Sequence, residues 1–330
     1  MHTSLFEDFT PTLREDWVDK IIVDLKGKNI DDLNREIHKR WNFSAFLTKE
    51  DAPSSIQSLN LPKGWTIVED FRRKSKIHPK EVLRSLEGGV QGLYLSAQQY
   101  QDLQSNSEIF WNMISVFMDV PEKEDIQIEA AHVWKTRTSL SGDQQHLSKF
   151  SIASNDPVEA ISSWACQVVQ QIDNIDESQL AAFLSKCWHS ITIGPNYLLE
   201  IARLRAIRLV WNQIMQDYSL DQEAVLMAEI GPEVSQESAY QNMISFSIAA
   251  LSAAIGGANM IMIQNLEDEQ LSESTQSRIP RNMQHLLQLE SHLDKVSDPA
   301  AGSYLLDTLT QKIASEAWAA FLEKVEQPSS

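Results

Sequence analysis

Residues 224–264 read AVLMAEIGPEVSQESAYQNMISFSIAALSAAIGGANMIMIQ. The apolar run 224–231 is short and stops at Gly-Pro, as a buried strand does. Residues 238–257 then carry apolar side chains at i, i+3, i+4 spacing, opened by Ser238 and closed by Gly256-Gly257, the punctuation of a helix. A second apolar run, 259–264, follows. Strand, helix and strand in that order predict a right-handed crossover joining two parallel strands.

The same alternation extends toward both ends. Further strand candidates are VQGLYLSA (90–97), ISVFMDV (114–120), IQIEAAHVW (126–134), KFSIAS (149–154) and SITIG (190–194). Helical stripes occupy DPVEAISSWACQVVQQI (156–172), DESQLAAFLSKC (176–187), YLLEIARLRAIRLVWNQIM (197–215) and RNMQHLLQLESHL (281–293). About eight strands in one domain fit a closed barrel better than an open doubly wound sheet. The predicted class is α/β, a (β/α)8 TIM-type barrel. It is abbreviated in its first half, because residues 100 to 150 offer strands with little helix between them.

Ahead of the barrel, Trp17, Ile21, Ile22 and Leu25 are spaced for one helix face before KGKN breaks the pattern. The predicted organisation is an N-terminal arm (1–52), a turn-rich linker (53–64) and the barrel (65–330).

The chain has 330 residues, 42% hydrophobic and 22% charged, so it can bury a sizeable core. Its net charge of -18 repels phosphate backbones and anionic lipid, which argues against nucleic-acid and membrane partners. Neither a leader-like start nor a run of ~18 apolar residues is seen, so a cytoplasmic location is expected. The two cysteines, Cys166 and Cys187, form no metal or disulfide pattern.

Chemistry is sparse along the chain. Cys187 and His189 share a strand face but lack a third ligand, so core roles are expected and no metal. His285 and His292, seven apart on one predicted helix face, are too far apart for a shared ion. The glycines of EGGVQG (87–92) precede a strand, the reverse of a dinucleotide fingerprint, and are read as a helix end. FRRKSKIHPK holds a dense basic cluster of Arg72, Arg73, Lys74, Lys76 and Lys80, which is a solvated loop, a grip for the phosphates of an acyl-CoA-type ligand, or a contact for an acidic partner surface. The expected strand ends are Ala153-Ser154-Asn155, Gly194-Pro195-Asn196 and Gln264-Asn265. They offer hydrogen bonds but little acid-base or nucleophilic power, so no catalytic residue is assigned.

Four segments carry a resemblance: YLLEIARLRAIRLVW (197–211), YQNMISFSIAALSAAIGG (240–257), SRIPRNMQHLLQLES (277–291) and SDPAAGSYLLDTLTQKIASEAW (297–318). In order and spacing they resemble the acyl-CoA barrel of methylmalonyl-CoA mutases. DWVDKIIVDLKGK (16–28) and WNFSAFLTKED (41–51) resemble that family's N-terminal arm. The resemblance implies a barrel threaded by a CoA tail, and radical isomerisation of methylmalonyl-CoA and succinyl-CoA with adenosylcobalamin. In catalytic chains a flavodoxin-like cobalamin-binding domain with Asp-x-His-x-x-Gly follows the barrel; here none is expected. The residues that match the family's pattern near a cofactor are Asn259, Arg281, Asn282 and Gln284.

Departures from the pattern point to the small, non-catalytic subunit of the two-chain enzymes. PSSIQSLNLPKGWTI (53–67) has no counterpart of the family's Tyr-rich segment. Ile152, Ala153, Ser154 and Asn155 stand where catalytic chains read Ser-Gly-Tyr-His. Ala258, Asn259, Met260, Ile261 and Met262 replace Thr-Gln-Ser-Leu-His, and Ser245 stands where an arginine would. The resemblance therefore implies a structural partner of a catalytic large subunit in a heterodimer. The arm would wrap that partner and adenosylcobalamin would be held in the partner and not here; self-association of the chain when alone stays open. Two other readings stay open: a mutase barrel that borrows its cobalamin domain from another polypeptide, and a stand-alone acyl-CoA-binding barrel.

Overall fold

A computed structural model describes residues 13–44, 46–52, 59–120, 132–137, 149–152 and 156–326, with side chains left undescribed at 119–120 and 132–137. The first elements are helix α1 (Arg14–Asp24) and a hairpin of β1 (Arg35–His38) and β2 (Trp41–Phe43). The barrel unit runs β3 (Thr66–Asp70), α2 (Pro79–Glu87), β4 (Gly92–Ser96), α3 (Ala97–Leu103), β5 (Ser115–Val120), β6 (His132–Arg137) and β7 (Lys149–Ile152). It continues α4 (Pro157–Asp173), α5 (Glu177–Leu184), β8 (Trp188–Thr192), α6 (Tyr197–Asp217), β9 (Leu226–Ile230), α7 (Ala239–Ile255), β10 (Met260–Ile263), α8 (Glu273–His285) and α9 (Tyr304–Glu326).

The strands from β3 onward lie in the order β6-β5-β4-β3-β10-β9-β8-β7, with every ladder parallel. The last strand pairs with the first, Met260 opposite Thr66 and Met262 opposite Val68, so the sheet curls. β6 and β7 approach each other at its two ends, with no ladder between them among the described residues. This is a mixed α/β fold whose curled parallel sheet is consistent with an abbreviated TIM-type barrel. The shortening shows in the helices: α2 has 9 residues and α3 has 7, against 17, 21 and 17 for α4, α6 and α7.

Local chemistry sets the helix ends. Asp156 caps α4 by accepting from the amides of Val158 and Glu159, ahead of Pro157 in the first turn. Ser238 caps α7, which ends at Gly256-Gly257. Gly257 has φ +84, and a Cβ there would meet Leu61 at 3.0 Å, so this reversal needs glycine.

β3 is the strand that the apolar runs did not single out; its TIVED sequence ends in two carboxylates. α8 differs more. It begins at Glu273, upstream of the predicted Arg281, and contains Pro280. Proline cannot donate to the Gln276 carbonyl one turn back, and the Leu266 amide fills that vacancy at 3.2 Å. After His285 the chain passes into a wider turn, Leu286–Glu290, and His292 takes a left-handed φ of 53°. His285 and His292 therefore do not share the predicted helix face.

α6 is buried on nearly every side because α4, α7 and α9 all pack on it. It nevertheless carries three buried arginines. Arg203 bonds Glu200 at 3.0 Å and the Thr192 carbonyl; Arg205 pairs with Asp307 at 2.7 Å and with Asp298. Arg208 donates to the carbonyls of Ala224 (2.9 Å) and Gly257 (2.6 Å) and to Asn259 (2.8 Å). The stripe of α9, Leu306, Leu309, Ile313, Ala317 and Phe321, is buried as its spacing predicts.

In the arm, Trp17, Ile21 and Leu25 are half-buried, whereas Ile22 is exposed and leaves the predicted face. The hairpin packs on the barrel of its own chain. Trp41 donates to Glu316 at 2.7 Å, Arg40 pairs with Asp156 at 2.8 Å, and the Asn196 amide reaches the Ile37 carbonyl at 2.6 Å. No helix among the described residues is long and apolar enough to cross a membrane.

Candidate functional site

Alternate residues of a barrel strand point to its axis. Here the inward positions bring together Val68, Tyr94, Phe117, Trp188, Met227, Met260 and Met262, an apolar cluster separate from the outer core and at most 5% exposed. The rings interlock edge to face: Phe117 to Trp188 at 5.4 Å, Tyr94 to Trp188 at 5.8 Å, Tyr94 to Phe117 at 6.1 Å. The axis is thus plugged by side chains at this level.

Polar groups cover the plug toward the C-terminal ends of the strands. Lys149 reaches the Tyr94 hydroxyl at 3.1 Å and Glu229 at 3.3 Å, with its ammonium 4.9 Å from the centre of the Trp188 ring. Ser190 donates to the same Glu229 carboxylate. Arg72 lies 3.5 Å over the Tyr94 ring while gripping Asp70 through two nitrogens, at 2.9 and 2.7 Å. Above them opens a cavity of about 700 Å³, lined by the ends of β3, β8, β9 and β10 and their loops.

The arrangement positions charges but leaves little for chemistry. Glu229 is engaged by an ammonium and a hydroxyl, and Asp70 by a guanidinium. The described lining contains no histidine or cysteine, and no cluster of three or more His, Cys, Asp or Glu able to hold a metal occurs among the described residues. The plug fills the axis beneath this cavity, and the described lining holds its carboxylates Glu229 and Asp70 against cations and a hydroxyl.

The basic cluster is divided. Arg72, Arg73 and Lys74 reach the mouth, but Arg73 pairs with Glu267 at 3.3 Å and Lys74 with Glu81, while Lys76 and Lys80 are exposed. The four family-matched residues lie elsewhere. Asn259 sits at the opposite end of the barrel, accepting from Arg208 and from the Leu226 amide. Gln284 accepts from the Trp65 indole at 3.1 Å, Arg281 reaches Glu69 at 3.3 Å, and Asn282 is exposed. None of them lines the mouth cavity.

Among the strand-end residues, Asn196 caps α6 and Gln264 donates to Ser235 at the mouth; Ala153, Ser154 and Asn155 lie outside the described residues. His189 faces outward among Phe150, Trp164 and Trp211, and accepts from the Trp164 indole at 3.1 Å. Burial first, then the nearby Arg208 charge, push its pKa down to about 3, so it is neutral. Cys187, just before β8, is buried and its thiol is pushed up by desolvation. Both are core residues. The plug itself was not read from the sequence, because strands apolar on both faces give continuous runs that hide which side points inward.

The fold and mouth define a curled parallel α/β barrel with a filled axis. The family pattern described as methylmalonyl-CoA mutase matches residues 172–328, from the end of α4 through α9. The chain is 33% identical over 159 residues to a methylmalonyl-CoA mutase of Rhizobium meliloti, covering 46% of this chain and 22% of that protein. It is 26% identical over 400 residues to a methylmalonyl-CoA mutase small subunit of Porphyromonas gingivalis, covering 96% of this chain and 63% of that one. The large subunit of the same organism is 30% identical over 158 residues, 46% of this chain and 22% of that protein. These matches span less than two thirds of those proteins' own lengths. The chain is thus similar to methylmalonyl-CoA mutases over its second half and to a small subunit of such an enzyme over nearly its whole length.

Proposed function

We propose that this chain is the non-catalytic small-subunit component of an adenosylcobalamin-dependent methylmalonyl-CoA mutase. In this reading the isomerisation between methylmalonyl-CoA and succinyl-CoA is performed by a catalytic large subunit. The chain itself is a (β/α)8 barrel with its seam between β6 and β7, and the cobalamin-binding domain belongs to the partner. The observation that carries the reading is the plug: Tyr94, Phe117, Trp188 and three methionines occupy the axis that an acyl-CoA tail would need.

The arm supports a partner-facing role. α1 buries no residue on this chain and exposes Leu13, Ile22 and Val23. The same plug weighs against both a barrel that borrows a cobalamin domain and a stand-alone acyl-CoA binder.

The test is to purify the full chain alone and together with a catalytic large subunit. Alone, it gives no spectral change with adenosylcobalamin and no isomerisation of methylmalonyl-CoA when adenosylcobalamin is added; together, the two chains elute as one complex that carries the activity. Binding of adenosylcobalamin or isomerase activity in the lone chain, or failure to form the complex, overturns the proposal.

A further inference from the structure

A second cleft, of about 470 Å³, lies outside the barrel between α2 and α8, away from the plugged axis. Its lining includes Arg84 from α2, Arg278 and Arg281 from α8, and the hydroxyl residues Ser274, Thr275 and Ser277 of the first turns of α8. In a chain with a net charge of -18, a convergence of three arginines needs a physical reason.

Arg281 is the informative residue. It is only 9% exposed, yet of the five N–H donors of its guanidinium the described structure satisfies one, toward Glu69 at 3.3 Å, and its Nε is buried without a partner. Room for this side chain is made by Gly88, where a Cβ would lie 2.7 Å from the Arg281 Cζ. A buried guanidinium with unmet donors, seated against a glycine at the edge of a cleft, is poised for an acceptor the chain does not supply.

The other charges in the cleft do not supply it. Glu81 is held by Lys74, and Glu273 is mostly exposed, 3.9 Å from that same lysine. Glu69 is the counterion of Arg281, and burial, its largest influence, raises its pKa despite Ser85 and the arginine. Arg84 and Arg278 are exposed at the rim and make no ion pair among the described residues. The N-terminus of α8 adds amides and partial positive charge, in the region after the last strand where barrels commonly hold phosphate.

We propose that the cleft between α2 and α8 is a binding site for a phosphate-bearing small molecule, with Arg281 as its buried anchor and Arg84 and Arg278 closing on the phosphate oxygens. Planar guanidinium groups suit that bidentate recognition better than lysines. This site is independent of the mutase reading, because it uses neither the barrel axis nor the mouth.

Titration calorimetry of the full chain with inorganic pyrophosphate in low-salt buffer tests it. Pyrophosphate binds one site per chain, and the double variant Arg84→Gln/Arg278→Gln weakens binding at least tenfold while its thermal melt stays unchanged, since both side chains are exposed. Arg281→Lys, which keeps the charge facing Glu69 but loses the fork, weakens it similarly. A control pair remote from the cleft, Arg35→Gln/Lys186→Gln, leaves binding within twofold. No heat from the unmodified chain, equal weakening by the control pair, or equal binding of a tricarboxylate of similar charge overturns the proposal.

Discussion

The axis of this barrel and its helical shell are both buried, but they are built from different chemistry. The shell at α6 and α9 holds arginines in its interior, each matched to carboxylates or carbonyls: Arg205 to Asp307, and Arg208 to the carbonyls of Ala224 and Gly257. The axis is filled with aromatic rings and methionines, with only a thin cover of charge above them. The family likeness covers α6 to α9 of the shell and also β8, β9 and β10, which send Trp188, Met227, Met260 and Met262 into the axis. Function in such a barrel depends on the axis and mouth. Likeness of sequence therefore supports the fold, while the side chains that fill the axis bear on activity.

Breaking the plug gives the largest expected effect. Trp188→Ala removes a fully buried indole from a packed interior and costs about 4 kcal/mol, measured as the shift in urea unfolding. If the axis is as dry and apolar as Met227, Met260 and Met262 make it, the variant also regains stability on adding a small aromatic such as benzene, and the parent chain does not. An unchanged midpoint in Trp188→Ala would mean that the axis is not load-packed in solution.

Breaking the shell comes next. Asp307→Asn leaves Arg205 buried with Asp298 alone and lowers stability by about 3 kcal/mol in the same measurement. A loss below about 1 kcal/mol, the level of an exposed pair, would remove the distinction between shell and surface.

The pH dependence probes the junction of the two regions, where His189 on β8 meets Trp164 and Trp211 of the shell. Its pKa of about 3 in the folded chain lies below the ordinary value of 6.5, so unfolding takes up a proton below about pH 6.5. The histidine's contribution is complete above 6.5 and is lost as pH falls from there toward 3. Stability is expected to drop by up to about 1.4 kcal/mol per pH unit between 6 and 4.5 from this group. His189→Gln shows a shallower slope over that window; an identical slope would assign the titration elsewhere.

The smallest effect concerns the hairpin on the outside of the shell. Asp156 caps α4 and pairs with Arg40. Burial raises its pKa, but Arg40 and the helix amides outweigh that and hold it below the usual carboxylate range. Asp156→Ala costs about 1 kcal/mol and increases proteolysis near residues 35–43, read by limited digestion. Arg40→Ala, with its side chain well exposed, costs less.

Several features were legible before any tertiary contact was known. The turn at Gly256-Gly257, the caps at Asp156 and Ser238, and the α9 stripe from Leu306 to Phe321 follow local rules, because caps and periodicity act within a few residues. β3 was not singled out, since Glu69 and Asp70 interrupt its apolar run and its burial comes from β4 and β10. The start of α8 was misplaced because Pro280 reads as a boundary, whereas the Leu266 amide, a tertiary partner, makes the proline tolerable. The basic cluster read as one patch, but folding distributes it among Asp70, Glu267 and Glu81.

By itself the sequence determined the alternation of strand and helix, the family resemblance and the thin supply of catalytic groups, because composition, capping and period are properties of the chain in order. Only the tertiary structure decided which face of each two-sided apolar strand turns inward, and hence that Tyr94, Phe117 and Trp188 fill the axis. It also brought Arg84, Arg278 and Arg281 into one cleft from helices nearly two hundred residues apart in the sequence. Curling a sheet so that its last strand meets its first joins groups that no local pattern can pair.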